Sequence, residues 1–362
     1  MTADIPHAKE APLVRRLLIV RLSAMGDIIH TLPAVGALRA AFPEAILGWV
    51  VEERWVELLC TLGYPRSGPR SPQRPLVDHV HIVNTKAWRR SLFSLNTWRQ
   101  MGASSSELRG VGYDTAVDFQ GAVRTALLAR LSRPAIVFGD IHPRENVARV
   151  LYTRQVATSG THVVEQALSL AQAVIQRSQT ARSAEFPVDS DAEQRITALA
   201  GKANDFAILN PGAGWGAKQW PAERYGRVAV ELAKDGMRSL VNSGPGEEEL
   251  AAAVESASAG AARRISCSIS ELIALTRRAR LFIGGDTGPM HLAAALQVPV
   301  VGIFGPTNPA RNGPFGTSSI VLRSASSMTS HARHREPEKG LLEISSEEVV
   351  AAARKLLRSH NE

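Results

Sequence analysis

Arg280-Leu281-Phe282-Ile283-Gly284-Gly285-Asp286-Thr287-Gly288-Pro289-Met290-His291 is the stretch on which the reading of the fold turns. A short apolar run, Leu281 to Ile283, breaks at two glycines into a polar turn, and a helical segment is expected from about Pro289 through Ala295. Strand, glycine-rich turn and helix together present a helix N-terminus to an anionic ligand in an α/β sheet. Asp286 and Thr287 stand where the N-cap belongs, Pro289 suits the first helical turn, and His291 is expected to point from that turn into a crevice. The same letters also describe a well-capped corner with no ligand, so the reading has to be carried by the rest of the chain.

Outward from this corner the pattern repeats. Leu17 to Leu22 reads as a buried strand, Ser23 to Asp27 as a tight polar turn, and Ile28 to Ala41 as a helix despite Pro33. Strands are expected at Ile46–Val51, Val77–Val83, Thr115–Phe119 and Ala135–Phe138, with a helix at Val123–Leu131 and a loop over 63–75. His162 to Ile175 is an amphipathic helix, after which Arg177 to Asp191 turns polar and marks the linker between two domains, 1–180 and 181–362. A second series follows. It comprises strand Phe206–Leu209, the loop from Asn210 to Lys218, helix Ala222–Lys234, strand Ser239–Asn242, helix Ser268–Ala279, the opening stretch, strand Val298–Phe304 and a closing helix, Ser345–Ser359. Strands alternating with helices predict parallel, doubly wound sheets. Two such halves predict an α/β protein of two Rossmann-like domains facing a central cleft.

The 362 residues suffice for two cores, and 44% apolar with 21% charged residues excludes a broadly disordered chain. A formal charge of +8 favours polyanionic partners: nucleic acid, a phosphorylated glycolipid or an anionic membrane face. Cys60 and Cys267 are the only cysteines, which argues against a disulfide framework or a zinc site and fits a reducing cytosol. Residues 1–12 lack the apolar core of a signal peptide, and no apolar run reaches the length of a membrane span, so membrane association is expected to be peripheral.

Four dispersed motifs carry a family likeness: Ser23-Ala24-Met25-Gly26-Asp27 followed by His30-Thr31-Leu32-Pro33, then Lys218-Gln219-Trp220-Pro221, then Asp286-Thr287-Gly288 with His291, and Gly305-Pro306-Thr307. With them the chain, from Leu17 to about Phe315, resembles the inverting GT-B glycosyltransferases of the lipopolysaccharide heptosyltransferase family. Trp49-Val50-Val51-Glu52-Glu53 is more like the heptosyltransferase I branch, which adds the first heptose to Kdo-lipid A. The resemblance implies an ADP-heptose donor, a Kdo2-lipid A acceptor and a place at the cytoplasmic face of the inner membrane. Neither cofactor nor metal is expected, with Mg²⁺ at most a helper for released ADP, and the protein is expected to be monomeric.

Glycosyl transfer needs a base for the acceptor hydroxyl, charge compensation for the leaving diphosphate and a site that excludes water. In an inverting reaction the base lies opposite the leaving group. The resemblance gives the base role to Asp27, in a turn that Gly26 makes permissive; the bland reading is a helix cap. Lys218 is the candidate for neutralising diphosphate, its loop of Gly212, Ala213 and Gly214 leaving backbone N–H groups free to approach an anion. Relatives often carry hydroxyl residues there, and this chain does not. Asp286 is assigned to heptose hydroxyls, Thr287 and the Gly288 amide to phosphate, and His291 to phosphate, sugar or plain packing. Glu247 resembles the residue that holds the nucleotide ribose and equally suits a helix first turn. His30 reads as a helix residue and Asp118 as a strand-end cap.

Lys86, Arg89, Arg90 and Arg99, interleaved with Trp88 and Trp98, have the composition of a single-strand nucleic-acid surface. Beside a glycolipid they would pair with Kdo carboxylates and lipid A phosphates, with Arg124 joining the same patch. A solvated basic face is the plain alternative. His331 to Arg335 reads as solvated loop. Rival functions are heptosyltransferase II or another family member with a different donor or acceptor, a non-catalytic sugar-nucleotide or glycolipid-binding module, and a nucleic-acid-binding protein, for which no motif is present. A dehydrogenase is disfavoured because Leu17 to Asp27 lacks the glycine spacing of a dinucleotide fingerprint.

Overall fold

The computed structural model describes residues 14–359 except 92, 179, 202–204, 331 and 333. Residues 1–12 thus lie outside the described residues, as does part of the 331–335 loop.

The first sheet is built from β1 (Arg16–Val20), β2 (Ile46–Glu52), β3 (His79–Val83), β4 (Thr115–Asp118), β5 (Ile136–Asp140) and β6 (Arg154–Val156). The second is built from β7 (Phe206–Asn210), β8 (Arg238–Ser243), β9 (Ala262–Ser266), β10 (Leu281–Gly285), β11 (Val300–Phe304) and β12 (Ser319–Arg323). The spatial orders are β3-β2-β1-β4-β5-β6 and β12-β11-β10-β7-β8-β9, so the second half repeats the order of the first. The ladders are parallel; β1, for example, sets Leu17 opposite Leu47 on one side and Thr115 on the other. This order places a topological switch point between β1 and β4 and another between β7 and β10, beyond whose carboxyl ends a ligand crevice is expected.

The helices are α1 (Met25–Ala41), α2 (Thr85–Arg90), α3 (Leu95–Val111), α4 (Val123–Leu131), α5 (Val163–Ile175), α6 (Ser190–Ala200), α7 (Ala222–Lys234), α8 (Glu248–Ala257), α9 (Ile269–Arg278), α10 (Gly288–Ala295), α11 (Pro309–Asn312), α12 (Lys339–Glu343) and α13 (Ser346–Ser359). Burial on both faces explains why β1 reads as a continuous apolar run: Leu17 and Ile19 enter one core, Leu18 and Val20 the other. The core containing Leu17 also takes in Leu272 and Ile273 of α9 and Leu292 of α10, so apolar packing runs from the first half into the second.

Several sequence expectations need correction. Asp27 and Gly26 lie inside the first turn of α1, not in a turn before it. Strands β6, β9 and β12 went unpredicted; Arg154–Val156 and Ser319–Arg323 contain no fully buried residue and so lack the apolar signal. The linker is anchored at its far end: Phe186 is buried, and its carbonyl, with that of Pro187, accepts hydrogen bonds from Arg277 at 3.1 and 2.9 Å. The 63–75 loop is held by Arg74, 1% exposed, which donates to the carbonyls of Val77 and Pro69 at 3.0 and 2.8 Å. The closing helix starts one residue later than expected, with Ser345 as its cap: the Ser345 hydroxyl accepts from the Glu348 amide while Glu348 accepts from the Ser345 amide at 2.8 Å.

Candidate active site

The two halves meet where α1 and α10 present their N-termini to each other. A Cβ placed on Gly26 would fall 2.5 Å from Cδ2 of His291, and one placed on Gly288 would fall 2.6 Å from Sδ of Met25. Each glycine therefore makes room for a side chain of the opposite helix. Gly26 serves close approach and not a permissive turn, because its backbone is helical. Both helix N-termini carry partial positive charge and unpaired N–H groups, so their convergence suits an anion.

Asp27 Oδ2 accepts from the Ala24 amide at 3.1 Å and Oδ1 pairs with Arg21 at 3.0 Å. The carboxylate therefore caps α1, as the bland reading holds, while remaining 43% exposed and able to meet a substrate. Arg21 itself is fixed by a hydrogen bond to the Phe119 carbonyl.

A bonded chain runs through the remaining motif residues. Lys218 Nζ lies 2.6 Å from Asp286 Oδ2 and 4.5 Å above the Trp215 ring. Asp286 Oδ1 lies 3.1 Å from His291 Nε2, and His291 Nδ1 lies 3.0 Å from His30 Nε2. Burial alone would raise the Asp286 carboxyl, but the hydrogen bonds and charges of His291 and Lys218 hold it well below the usual carboxylate range. Burial, reinforced by His291 and His162, pushes His30 well below the ordinary histidine value, so it stays neutral near pH 7. His291 is packed between Asp286 and His30, and its ring also lines a cavity at the junction of the two halves. Asp286 already has both oxygens engaged by protein groups.

Thr287 is the N-cap residue of α10, and its hydroxyl donates to the Gly285 carbonyl at 3.2 Å. Glu247, immediately before α8, accepts from the Gly244 amide at 2.9 Å and lies so close to Gly212 that a Cβ there would sit 2.1 Å from its carboxylate. Gly212, Ala213, Gly214, Glu247, Thr287 and Gly288 line a cleft of about 310 Å³, closed from the first half by Met25, Gly26 and Trp55. Lys218, Asp286 and His291 are not among the residues that line it. A second cavity of about 360 Å³ opens on the far side of the His30–His291 pair.

The basic residues divide. Lys86, Arg89 and Arg90 are exposed on α2, at the carboxyl end of β3, whereas Trp88 is buried and donates to Gln100 at 3.1 Å. Arg124 opens α4, beyond β4, and so flanks β1 from the other side instead of extending the α2 patch; its Nε is buried without a protein partner. Glu52 anchors the start of α2 by accepting from the Thr85 amide at 3.2 Å and from the Thr85 hydroxyl. Asp118 is a fully buried cap, accepting from the Gln120 and Gly121 amides at 2.9 and 3.2 Å.

Sequence reasoning missed Arg21, Asn210 and Asn242. The buried amide pair Asn242 Nδ2–Asn210 Oδ1 (2.7 Å) ties the ends of β7 and β8 beneath the cleft. The signal available for all three was a polar residue at the end of an apolar strand.

Two six-stranded parallel sheets of matching order, meeting at paired helix N-termini beside a glycine-lined cleft, make a GT-B-like α/β fold. Residues 101–342 match the family model described as glycosyltransferase family 9 (heptosyltransferase), and the chain belongs to that family. It is 29% identical over 321 residues to lipopolysaccharide heptosyltransferase 1 of Pseudomonas aeruginosa, covering 85% of this chain and 84% of that one. Identity to the Escherichia coli K12 lipopolysaccharide heptosyltransferase 1 is 27%, over 92% of this chain and 98% of the relative. An E. coli lipopolysaccharide heptosyltransferase 3 is 24% identical over 92% and 95%. Among solved structures, E. coli heptosyltransferase WaaC with ADP superposes with a TM-score of 0.76 at 26% identity, covering 94% of this chain and 99% of that one. The same enzyme with ADP-2-deoxy-2-fluoro heptose gives a TM-score of 0.74 over the same coverage.

Proposed function

We propose that the protein transfers L-glycero-D-manno-heptose from ADP-heptose to Kdo of Kdo2-lipid A, with inversion, in lipopolysaccharide inner-core synthesis. The observation that carries this reading is the interlock of α1 and α10, which brings the first turn of α1, with its half-exposed Asp27, against the N-terminus of α10, an end suited to an anion. Asp27 takes the proton of the acceptor hydroxyl as its oxygen bonds to the anomeric carbon, and the bond to ADP breaks on the opposite face. Arg21 and the Ala24 amide orient the carboxylate. Lys218, released from Asp286, together with the Thr287–Gly288 helix terminus, compensates the diphosphate charge. The Gly212–Gly214 loop offers backbone amides where relatives offer hydroxyls. Asp286 then turns to heptose hydroxyls, and Glu247 to the ribose.

On this reading positive charge comes from side chains and helix ends, and metal is dispensable. Among the described residues no group of three His, Cys, Asp or Glu is arranged to hold a metal ion. No helix among them is long and apolar enough to cross a membrane. On the proposed reading the acceptor is met at the cytoplasmic surface of the inner membrane.

ADP release from ADP-heptose and Kdo2-lipid A is the test, run with and without a chelator. Release should require the acceptor, survive chelation and fall at least about a hundredfold in Asp27→Ala, the lower bound typical of a lost general base. Turnover only with a mono-heptosylated acceptor would reassign the position of transfer. Unchanged turnover in Asp27→Ala would remove it as base.

A further inference from the structure

We infer that the α2–α3 corner is a membrane-insertion element, whose partner is the surface layer of an anionic phospholipid bilayer. The inference deepens the proposed function, since it rests on an acceptor carried in a membrane. Three large apolar side chains stand unpacked at this corner: Phe93 at 102%, Leu95 at 78% and Trp98 at 58% exposure. Leu95 and Trp98 are three residues apart on α3 and share one flank of its first turn, with Arg99 beside them, while Thr97 faces inward. Phe93 directly precedes the Ser94 cap of that helix. Isolated exposed apolar residues are ordinary, but three within six positions at a helix start form a patch that requires a partner.

Charge indicates which partner. Lys86, Arg89, Arg90 and Arg99 are exposed around the patch, and no Asp or Glu occurs from Thr85 to Ser106. An apolar tip flanked along the chain by four exposed cations, with the Glu53 carboxylate held by Asn84 at the far end of α2, matches an anionic interface: rings and leucine enter the headgroup–acyl boundary while the basic groups stay among phosphates. Trp suits that boundary because its ring is amphipathic. The corner is rigidly mounted, by the Glu52–Thr85 bonds at one end and the Trp88–Gln100 bond at the other.

Its position suits the chemistry. α2 leaves the carboxyl end of β3, the same edge of the parallel sheet from which β1 delivers Asp27, and only β2 lies between the two strands. At about 4.8 Å per strand the lateral offset from β1 is roughly 10 Å. A bilayer docked at the corner would thus bring a glycolipid headgroup to the Asp27 side of the cleft.

Sedimentation of the full protein with phosphatidylcholine vesicles, with and without phosphatidylglycerol and free of any glycolipid, tests this independently of the acceptor. Binding should need the anionic lipid and weaken at least about tenfold in the triple variant Phe93→Ser, Leu95→Ser, Trp98→Ser. Turnover of that variant on detergent-dispersed acceptor should match the parent. Lipids brominated near the headgroup should quench tryptophan emission, and Trp98→Phe should remove most of that quenching. Equal vesicle binding by the triple variant, or quenching unchanged in Trp98→Phe, would overturn insertion. So would preference for a single-stranded oligonucleotide over vesicles. Absent heptosyl transfer with vesicle binding intact would refute the proposed reaction and leave the docking surface standing.

Discussion

At the scale of single residues, Gly26 shows how a motif can be located correctly and explained wrongly from sequence. The glycine beside Asp27 was legible as special, but its reason is the His291 ring, 265 positions away, and no local pattern reports such a contact. The structure therefore predicts that Gly26→Ala acts across the cleft. With His291 Cδ2 at 2.5 Å from the new methyl, either α1 or the ring must move, an overpacking cost of about 1–3 kcal/mol. Thermal unfolding should show the loss of stability, and turnover should fall with it because the displaced ring bonds Asp286. Gly102, mid-helix in α3 with nothing within 4 Å of an added Cβ, is the control; Gly102→Ala should leave turnover unchanged and raise stability by about 0.5–1 kcal/mol through better helix propensity. Equal behaviour of the two variants would show that the interlock is loose. Arg21 and the Asn210–Asn242 pair were invisible for a related reason: their polar strand-end positions were legible, but their partners come from distant segments.

At the scale of elements, α1 is the one whose content the sequence half disclosed. Its apolar face and its tolerance of Pro33 were readable, whereas His30 looked like an ordinary helix residue. In the fold it joins His291, its Nδ1 is buried without a partner, and its neutral form is favoured by burial and by the two neighbouring histidines. The sign of the pH effect follows. Unfolded, His30 binds a proton near its ordinary value of about 6.5; folded, it does so only at lower pH. In the window between them the unfolded state holds more protons, so stability falls as pH drops, by up to about 1.4 kcal/mol per pH unit for one histidine. His162, also lowered chiefly by burial, adds to the slope. His30→Asn, which keeps a hydrogen-bonding group but cannot be protonated in this range, should flatten the decline of denaturant midpoint from pH 7 downward. Asp286 acts in the opposite sense of ionisation: its depressed carboxyl stabilises above the ordinary carboxylate value and loses that contribution only as pH falls through its lower folded value. The two effects occupy different windows. An unchanged slope in His30→Asn would show that the histidine is not held neutral by the fold.

For the whole molecule, the two-sheet α/β plan was legible because both halves repeat the same alternation of buried strand, polar turn and helix. How the halves join was not, because the polar 177–191 segment has the composition of a free linker. In the structure Arg277 holds the Phe186 and Pro187 carbonyls of that segment, and the core beneath β1 and β2 continues into α9 and α10 through Leu272, Ile273 and Leu292. Glu57 adds a polar tie by accepting from the Ser270 amide at 3.0 Å. Separating the halves would expose those side chains, at a cost of about 1.5–3 kcal/mol for each large apolar residue. The halves should therefore unfold together, in one calorimetric transition whose van't Hoff and calorimetric enthalpies agree. ADP binding at the second half should raise that single transition as a unit, by about 2.7 kcal/mol when its concentration is a hundred times Kd. Two resolved transitions, with ADP shifting only one, would mean that the continuous core does not couple the domains, and closure would then hinge at 177–191. A single shifted transition would mean that the two cores unfold as one unit, joined through the α1–α10 contact where Gly26 and Gly288 let the helix ends approach.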